Sequence, residues 1–110
     1  MPESKFETKL TVIYDNPTDP TEFEAAYVAE QLEAAQRIPG YLRFEASKVW
    51  PKEDGSPTPA YRMIDLYFPD YDAACDAVIT PEAGAFFAAL GTIATGGVRV
   101  LMSDVEVPQQ

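Results

Sequence analysis

Residues 19–41, DPTEFEAAYVAEQLEAAQRIPGY, decide the fold of this chain because they predict its first helix. Asp19 is suited to cap the helix, and Pro20 is suited to its first helical position. The Pro39–Gly40 pair disfavours helical geometry beyond that point. We therefore expect a helix over residues 20–38, packed against whatever the flanking segments form.

One face of this helix carries a polar residue within an apolar stripe. A buried amide needs a hydrogen-bond partner, a water or a ligand. Tyr27 and Gln31 are one turn apart, and we interpret them as the polar contacts of a small-molecule pocket. The alternative is that Gln31 bonds only to a neighbouring backbone group or lies at the edge of the stripe. The residues that share the spacing of this face are Phe23, Tyr27, Gln31, Ala34, Ala35 and Ile38.

The segments around the helix predict strands and two further helices. Alternating or apolar runs that indicate strands occupy residues 5–14, 41–50, 61–68 and 98–105, and helical segments occupy residues 70–79 and 81–94. The order β-α-β-β-α-β predicts an α+β, ferredoxin-like fold, with an antiparallel sheet and helices on one of its faces. We expect residues 1–110 to form one domain.

The other sheet face predicts a homodimer. Strand parity assigns four apolar or aromatic residues to this uncovered face: Met63, Tyr67, Val100 and Met102. A large apolar patch in contact with water is unfavourable. We therefore expect two copies of the chain to stack through their open sheet faces.

Composition restricts the classes of partner. The chain has 18 acidic and 8 basic residues and a formal charge of −10, which disfavours nucleic-acid binding and contact with anionic membranes. No apolar run approaches the roughly 20 residues that span a bilayer. The first residues lack the apolar core of a signal peptide, and Cys75 is the single cysteine. We therefore expect a cytoplasmic protein without an internal disulfide.

The sequence contains no histidine. This removes the commonest general base and the commonest protein ligand of transition metals. A carboxylate-only site for Mg²⁺ or Ca²⁺ stays open, but the acidic residues are scattered and show no calcium-loop spacing. We therefore expect neither a metal site nor a cofactor.

Several stretches together resemble the EthD family, the dimeric α+β barrel proteins named for ethyl tert-butyl ether degradation. They are LTVIYDNPTDPTEF, RIPGY, YRMIDLYFPDYDAA, TPEAGAFFAAL and ATGGVRVLMSD, with Tyr27 four residues before Gln31. The resemblance covers the chain from about Leu10 to Asp104. It implies the ferredoxin-like fold, a sheet-to-sheet homodimer, a small pocket in each subunit between sheet and helices, and a role in degradation or secondary metabolism.

This chain departs from the resemblance at one position of the expected pocket. Many EthD members carry a histidine where this chain has Gln31. Glutamine cannot exchange protons near neutral pH, whereas histidine can. We therefore expect Gln31 to form hydrogen bonds and not to act as an acid or base.

Other aromatic and acidic residues are candidates for the site. Tyr14 ends the first strand, where a pocket could open; the equal alternative is a strand-end tyrosine with its hydroxyl in water. Phe68 and Phe87 are placed to form pocket walls, although plain core packing explains both as well. Asp65 lies among apolar neighbours. It is either a base with a raised pKa or, as we favour, half of an ion pair with Arg43 or Arg62.

These observations leave three functional hypotheses. The first is a protein that binds a small, mostly apolar organic molecule through Tyr14, Tyr27, Gln31, Phe68 and Phe87. The second is a cofactor-free oxygenase, or an enzyme of the polyketide cyclase or isomerase type, that orients a substrate carrying its own reactivity. The third is a structural dimer without ligand chemistry.

Overall fold

The computed structural model describes residues 6–56 and 58–107 of the chain. Within them, four strands form one antiparallel sheet in the order β2-β3-β1-β4. The strands are β1 (Glu7–Tyr14), β2 (Arg43–Lys48), β3 (Arg62–Phe68) and β4 (Val98–Val105). The ferredoxin-like α+β fold predicted from the sequence is confirmed, while Lys5, the predicted first residue of β1, lies outside the described residues.

The helices begin where their capping residues predict. Helix α1 consists of an α-helical part (Pro20–Ala26), a π-helical turn (Tyr27–Gln31) and a second α-helical part (Leu32–Gln36); it is followed after β3 by α2 (Tyr71–Val78) and α3 (Pro81–Ile93). The Asp19 carboxylate accepts a hydrogen bond from the Glu22 N–H at 3.1 Å. Asp70 and Thr80 cap α2 and α3 in the same way.

The π-helical turn keeps one face of α1 on the core. Phe23, Tyr27, Gln31 and Ala35 are all buried, and each follows the previous one by four residues. In a regular α-helix each such step overshoots a full turn by about 40°, so three steps would rotate Ala35 about 120° away from Phe23. A π turn contains more residues, and here the Leu32 N–H bonds to the Tyr27 carbonyl. The wider π turn compensates for this rotation, so the four side chains stay on one face of the helix.

The helices cover one face of the sheet and enclose the core there. The buried apolar residues of the two central strands, β1 and β3, are Leu10, Val12, Tyr14, Ile64, Leu66 and Phe68. They pack with residues of α1, α2 and α3 in one cluster. Most of the space between sheet and helices is therefore filled by side chains, and Tyr14 and Phe86 are among the largest of those fully buried.

Strand register corrects the predicted composition of the uncovered face. Directly opposed residues of antiparallel strands point to the same side of a sheet. Met102 opposes Leu10 and Val100 opposes Val12, so both lie on the helix side. Their assignment to the uncovered face was wrong because parity within a strand does not say which face is which. Leu101, which opposes Thr11, belongs to the uncovered face instead.

Met63 lies on the uncovered face as predicted, since it opposes Ile13, and Tyr67 lies there opposite Lys9.

In the described ranges no single helix is long and apolar enough to cross a membrane. Helices α2 and α3 would meet the requirement of length and composition only as a pair, and that pair is bent by 70°.

Candidate ligand-binding site

A cleft of about 560 Å³ lies between α1 and the C-terminal end of α3. Its walls combine apolar surface with a few polar groups, which is the usual make-up of a small-molecule site. Phe23 contributes an aromatic ring, and Gln31 contributes an amide. The lining residues are Asp19, Glu22, Phe23, Ala26, Glu30, Gln31, Ala89, Thr92, Ile93 and Thr95.

The Gln31 side chain is half satisfied by the protein. It is 1% exposed, and its Oε1 accepts a hydrogen bond of 2.5 Å from the Tyr14 hydroxyl. Its Nε2 is buried and has no hydrogen-bond partner among residues 6–56 and 58–107. The Tyr14 O–H donates to the amide oxygen, so the amide nitrogen is the atom that is left unpaired. Gln31 is one of the residues that line the cleft, so its unpaired amide lies next to the space that a ligand would occupy.

Tyr27 lies beside Gln31 in an aromatic cluster. Its ring stacks on Phe23, with centroids 5.6 Å apart and planes at 18°, and meets the edge of Tyr14 at 5.6 Å and 89°. Its hydroxyl is buried and makes no hydrogen bond of good geometry in the part of the chain that the structure describes, although the Arg62 guanidinium lies close enough to act on its pKa. Tyr27 does not line the cleft itself, so it lies behind the wall that Phe23 and Gln31 form.

Both buried tyrosines remain protonated at neutral pH. Burial raises the pKa of Tyr14 far above its ordinary value, and the neighbouring Tyr27 raises it further. Burial also raises the pKa of Tyr27, although the Arg62 guanidinium, centred 4.7 Å from the ring centroid, opposes this shift. The two hydroxyls can therefore donate hydrogen bonds near neutral pH but cannot serve there as bases.

An ion pair holds the guanidinium next to Tyr27. The Arg62 Nε and Nη2 atoms donate to the two carboxylate oxygens of Glu24 at 2.8 and 2.5 Å. This fork lowers the pKa of Glu24 and raises that of Arg62. Glu24 therefore offsets the positive charge of the guanidinium next to Tyr27. The two hydrogen bonds also fix the position of the guanidinium.

Asp65 is not paired with either predicted arginine. Arg62 bonds to Glu24, and the Arg43 Nη1 lies 3.3 Å from a carboxylate oxygen of Glu7. Asp65 instead accepts a hydrogen bond of 2.6 Å from the Thr11 hydroxyl. Both groups lie on the uncovered sheet face, on the opposite side of the sheet from the cleft.

The structure brings together three of the five predicted site residues. Tyr14, Tyr27 and Gln31 form one contiguous group. Phe68 is fully buried in the core, and Phe87 packs at an angle of 66° on Phe86 with centroids 5.2 Å apart. Neither phenylalanine lines the cleft, so a role for them in ligand contact stays a prediction.

Sequence reasoning missed most of the cleft wall. The resemblance implied a pocket between sheet and helices, whereas this cleft lies between two helices, next to that layer. Glu22 and Glu30 flank Gln31 on the exposed side of α1, and helical spacing offered a signal for both. Thr92 and Ile93 reach the cleft only through the packing of α3 on α1, for which the sequence gives no local signal.

The acidic residues do not form a metal centre in the described ranges. No group of three or more Cys, Asp or Glu side chains there is arranged to hold a metal ion. The polar chemistry of the site is therefore that of the Gln31 amide, the two buried phenols and the carboxylates on the exposed part of the cleft.

Solved structures of other proteins share this fold. An EthD family protein from Bacillus halodurans superimposes with a TM-score of 0.83 at 20% identity, covering 90% of this chain and 98% of its own. A dimeric protein of unknown function with a ferredoxin-like fold from Bacteroides fragilis gives 0.66 at 13%, covering 90% and 96%. SnoaB, a cofactor-independent oxygenase from Streptomyces nogalater, gives 0.64 at 18%, covering 94% and 98%. The predicted resemblance to EthD proteins is thus confirmed for the fold.

Sequence comparison identifies a nearer relative. No protein-family model matches the chain. A protein of Rhodococcus erythropolis, described as an uncharacterized 11.0 kDa protein in the thcB-thcC intergenic region, is 35% identical over 98 residues, which cover 89% of this chain and 94% of the relative. The chain therefore belongs to the family of this Rhodococcus protein and has the fold of the EthD proteins.

Proposed function

We propose that this protein binds a small, mostly apolar organic molecule in the cleft between α1 and α3. One observation carries the proposal: the Gln31 Nε2 is buried and unpaired among the described residues, and Gln31 is one of the residues that line the cleft. Leaving such a group without a partner costs roughly 1–3 kcal/mol. A ligand that accepts a hydrogen bond from it offsets that cost on binding.

The dimensions and walls of the cleft suit such a ligand. Its volume of about 560 Å³ lies within the usual range of roughly 300–1,000 Å³ for small-molecule sites. Phe23, Ala26, Ala89 and Ile93 supply apolar contact area. The body of the ligand would lie on these side chains, while one acceptor atom points towards the Gln31 amide.

A second candidate function is catalysis without a cofactor. The enzyme would be a cofactor-free oxygenase, or an enzyme of the polyketide cyclase or isomerase type. It is favoured by two buried donors on consecutive turns of α1, the Tyr27 hydroxyl and the Gln31 amide, both unpaired in the described structure. Donors already oriented in this way stabilise an enolate-like oxygen better than water does. The raised pKa of Tyr27 restricts it to the role of donor, so the substrate would have to carry its own reactivity.

We also propose a biological role, a location and an oligomeric state for the protein. The EthD resemblance supports a role in degradation or secondary metabolism. The composition supports a cytoplasmic location. We further propose that the chain forms a homodimer through the uncovered sheet face, supported by a solved neighbour that is described as dimeric.

Titration with a neutral aromatic ketone, para-methylacetophenone, tests the binding proposal. We expect saturable shifts of amide NMR signals along the cleft in the wild type, and at least tenfold weaker binding to Gln31→Leu. Gln36→Leu is the matched control, because Gln36 is exposed on the same helix and does not line the cleft. Binding that survives in Gln31→Leu, or no binding to the wild type, would contradict the proposal.

The Tyr27→Phe variant separates ligand binding from a purely structural role. Removing a buried hydroxyl without a protein partner should leave the free protein as stable or more stable. If the hydroxyl serves the ligand, the same variant binds the ketone less tightly or loses turnover. Increased stability with unchanged binding and turnover would show that the Tyr27 hydroxyl does not serve the ligand.

A further inference from the structure

The exposed part of the cleft carries charge of one sign. Asp19, Glu22 and Glu30 contribute carboxylates to its lining, and all three residues are exposed. Among the described residues that line the cleft there is no lysine or arginine. The hydrogen bond that Asp19 accepts from the Glu22 N–H leaves the charge of the carboxylate in place.

The helix dipoles do not reverse this sign. The N-terminus of α1, next to Asp19 and Glu22, contributes roughly +0.5 of an elementary charge. The C-terminal end of α3, which reaches the cleft at Thr92 and Ile93, contributes roughly −0.5. Because the two partial charges offset one another, the three carboxylates set the potential at the opening.

The inner wall of the cleft requires a different chemical group on the ligand. The Gln31 side chain is 99% buried by its own chain, with 1% exposed, and its unpaired amide nitrogen requires an acceptor. This observation is independent of the acidic residues, and it supports the proposed binding site. A ligand that satisfies both regions has an oxygen acceptor at its inner end and no negative charge at its outer end.

We propose that the ligand of this cleft is an apolar amine that carries a carbonyl-type oxygen at its buried end, and that the cleft rejects the corresponding carboxylate. The inference rests on the proposed binding function and adds the chemical class of the ligand. An ammonium group near the opening is attracted by three carboxylates, whereas a carboxylate is repelled by them.

Three probes that differ in a single substituent test the inference. They are para-(aminomethyl)acetophenone, para-methylacetophenone and para-acetylbenzoate, which share the acetyl oxygen and the ring. At low ionic strength and neutral pH we expect the amine to bind about tenfold more tightly than the carboxylate, with the neutral ketone between them. Added salt should reduce this ratio, because exposed charges are screened.

Two variants localise the effect. Glu22→Gln combined with Glu30→Gln should reduce the ratio of amine to carboxylate affinity to about threefold or less, since one carboxylate remains at Asp19. Asp76→Asn removes one charge from an exposed position of α2 that does not line the cleft, and it should leave the ratio near the wild-type value. Circular dichroism checks that all variants fold.

The possible outcomes are distinguishable. Equal affinities for the three probes, or tightest binding of the carboxylate, would overturn the charge preference while the binding function stands. An Asp76→Asn ratio that falls as far as that of the double variant would also overturn it, since the charge of the whole chain would then be responsible. If none of the three binds, the proposed function itself is contradicted.

Discussion

At the scale of single residues, the feature that stands out is the contrast between Tyr14 and Tyr27. Both hydroxyls are buried within one aromatic cluster, yet the Tyr14 hydroxyl donates to Gln31, and the Tyr27 hydroxyl finds no partner in the described structure. The fold therefore uses one phenol to orient the Gln31 amide and keeps another beside it unpaired. Such a half-completed network is unfavourable in a purely structural core and useful in a binding site.

Replacing Tyr14 by phenylalanine should destabilise the protein by about 1–3 kcal/mol. The change leaves the Gln31 amide without its protein partner, and the full cost of an unpaired buried group then applies. Urea unfolding measures the difference. The control is Tyr41→Phe, which removes a longer hydrogen bond of 3.3 Å to the Gln36 carbonyl and should cost less than about 0.5 kcal/mol. Equal effects of the two variants would contradict the role assigned to Tyr14.

Alkaline pH should destabilise the protein through the same residue. The pKa of Tyr14 is raised in the folded state, so above the ordinary tyrosine pKa of about 10 the unfolded chain loses a proton that the folded chain keeps. The contribution of Tyr14 is therefore complete below about pH 10 and declines by roughly 1.4 kcal/mol per pH unit above it. Urea unfolding at several alkaline pH values should show a shallower decline in Tyr14→Phe. Parallel curves would show that Tyr14 is not the residue responsible.

At the scale of elements, the π-helical turn of α1 explains how a run of residues spaced by four remains on the core. It also brings Tyr27 and Gln31 to the same side of the helix, one at each end of the turn. Isolated π turns are rare and are found frequently at functional sites. The turn thus keeps Gln31 on the buried side of α1, next to the cleft.

Deleting Ala29 should convert α1 into a regular α-helix. Ala29 is exposed, and its loss changes the spacing of the buried residues from 4-4-4-3 to 4-3-4-3, which suits 3.6 residues per turn. Helix content and cooperative unfolding should be retained, while affinity for para-methylacetophenone falls at least tenfold because the Gln31 amide is redirected. Ala29→Ser keeps the length of the turn and should bind normally. Unchanged affinity after the deletion would show that the π turn does not position the site.

The start of α1 and its apolar stripe were predictable because caps and periodicity are local signals. The π turn was not predicted, although three successive spacings of four, from Phe23 to Ala35, carried the information. Tyr27 and Gln31 were identified for the same local reason. The bond between Tyr14 and Gln31 was missed, because it joins β1 to α1 through packing that no local pattern encodes.

Two glycines should respond oppositely to alanine. A Cβ atom at Gly96 would lie 1.8 Å from the carbonyl oxygen of Asn16, so the turn between α3 and β4 could not approach the end of β1. Gly91, within α3, has open space around it. We expect Gly96→Ala to lower the free energy of unfolding by more than about 2 kcal/mol and Gly91→Ala to raise it by about 0.5–1 kcal/mol. Thermal or urea unfolding measures both, and a neutral Gly96→Ala would refute the close packing of the turns.

At the scale of the whole molecule, the uncovered sheet face combines apolar and charged groups. Ile13 and Met63 oppose one another across β1 and β3, and Leu101 extends this apolar centre onto β4. Towards β2 the same face carries Arg43 and Tyr67, with the guanidinium carbon 3.7 Å from the ring centroid. Strand register, and not parity within one strand, decides which residues lie on the uncovered face. The composition of this face therefore became clear only from the pairing of the strands.

Dimerisation through this face should depend on Leu101, which is 52% exposed in the isolated chain. A glutamate buried in the interface would be desolvated, so Leu101→Glu should shift the protein from dimer to monomer at micromolar concentration. Light scattering after size exclusion measures the mass. Val28→Glu adds the same charge at a 65% exposed position of α1, away from this face, and should remain dimeric. A monomeric wild type, or a Leu101→Glu variant as dimeric as Val28→Glu, would show that the sheet face is not the interface.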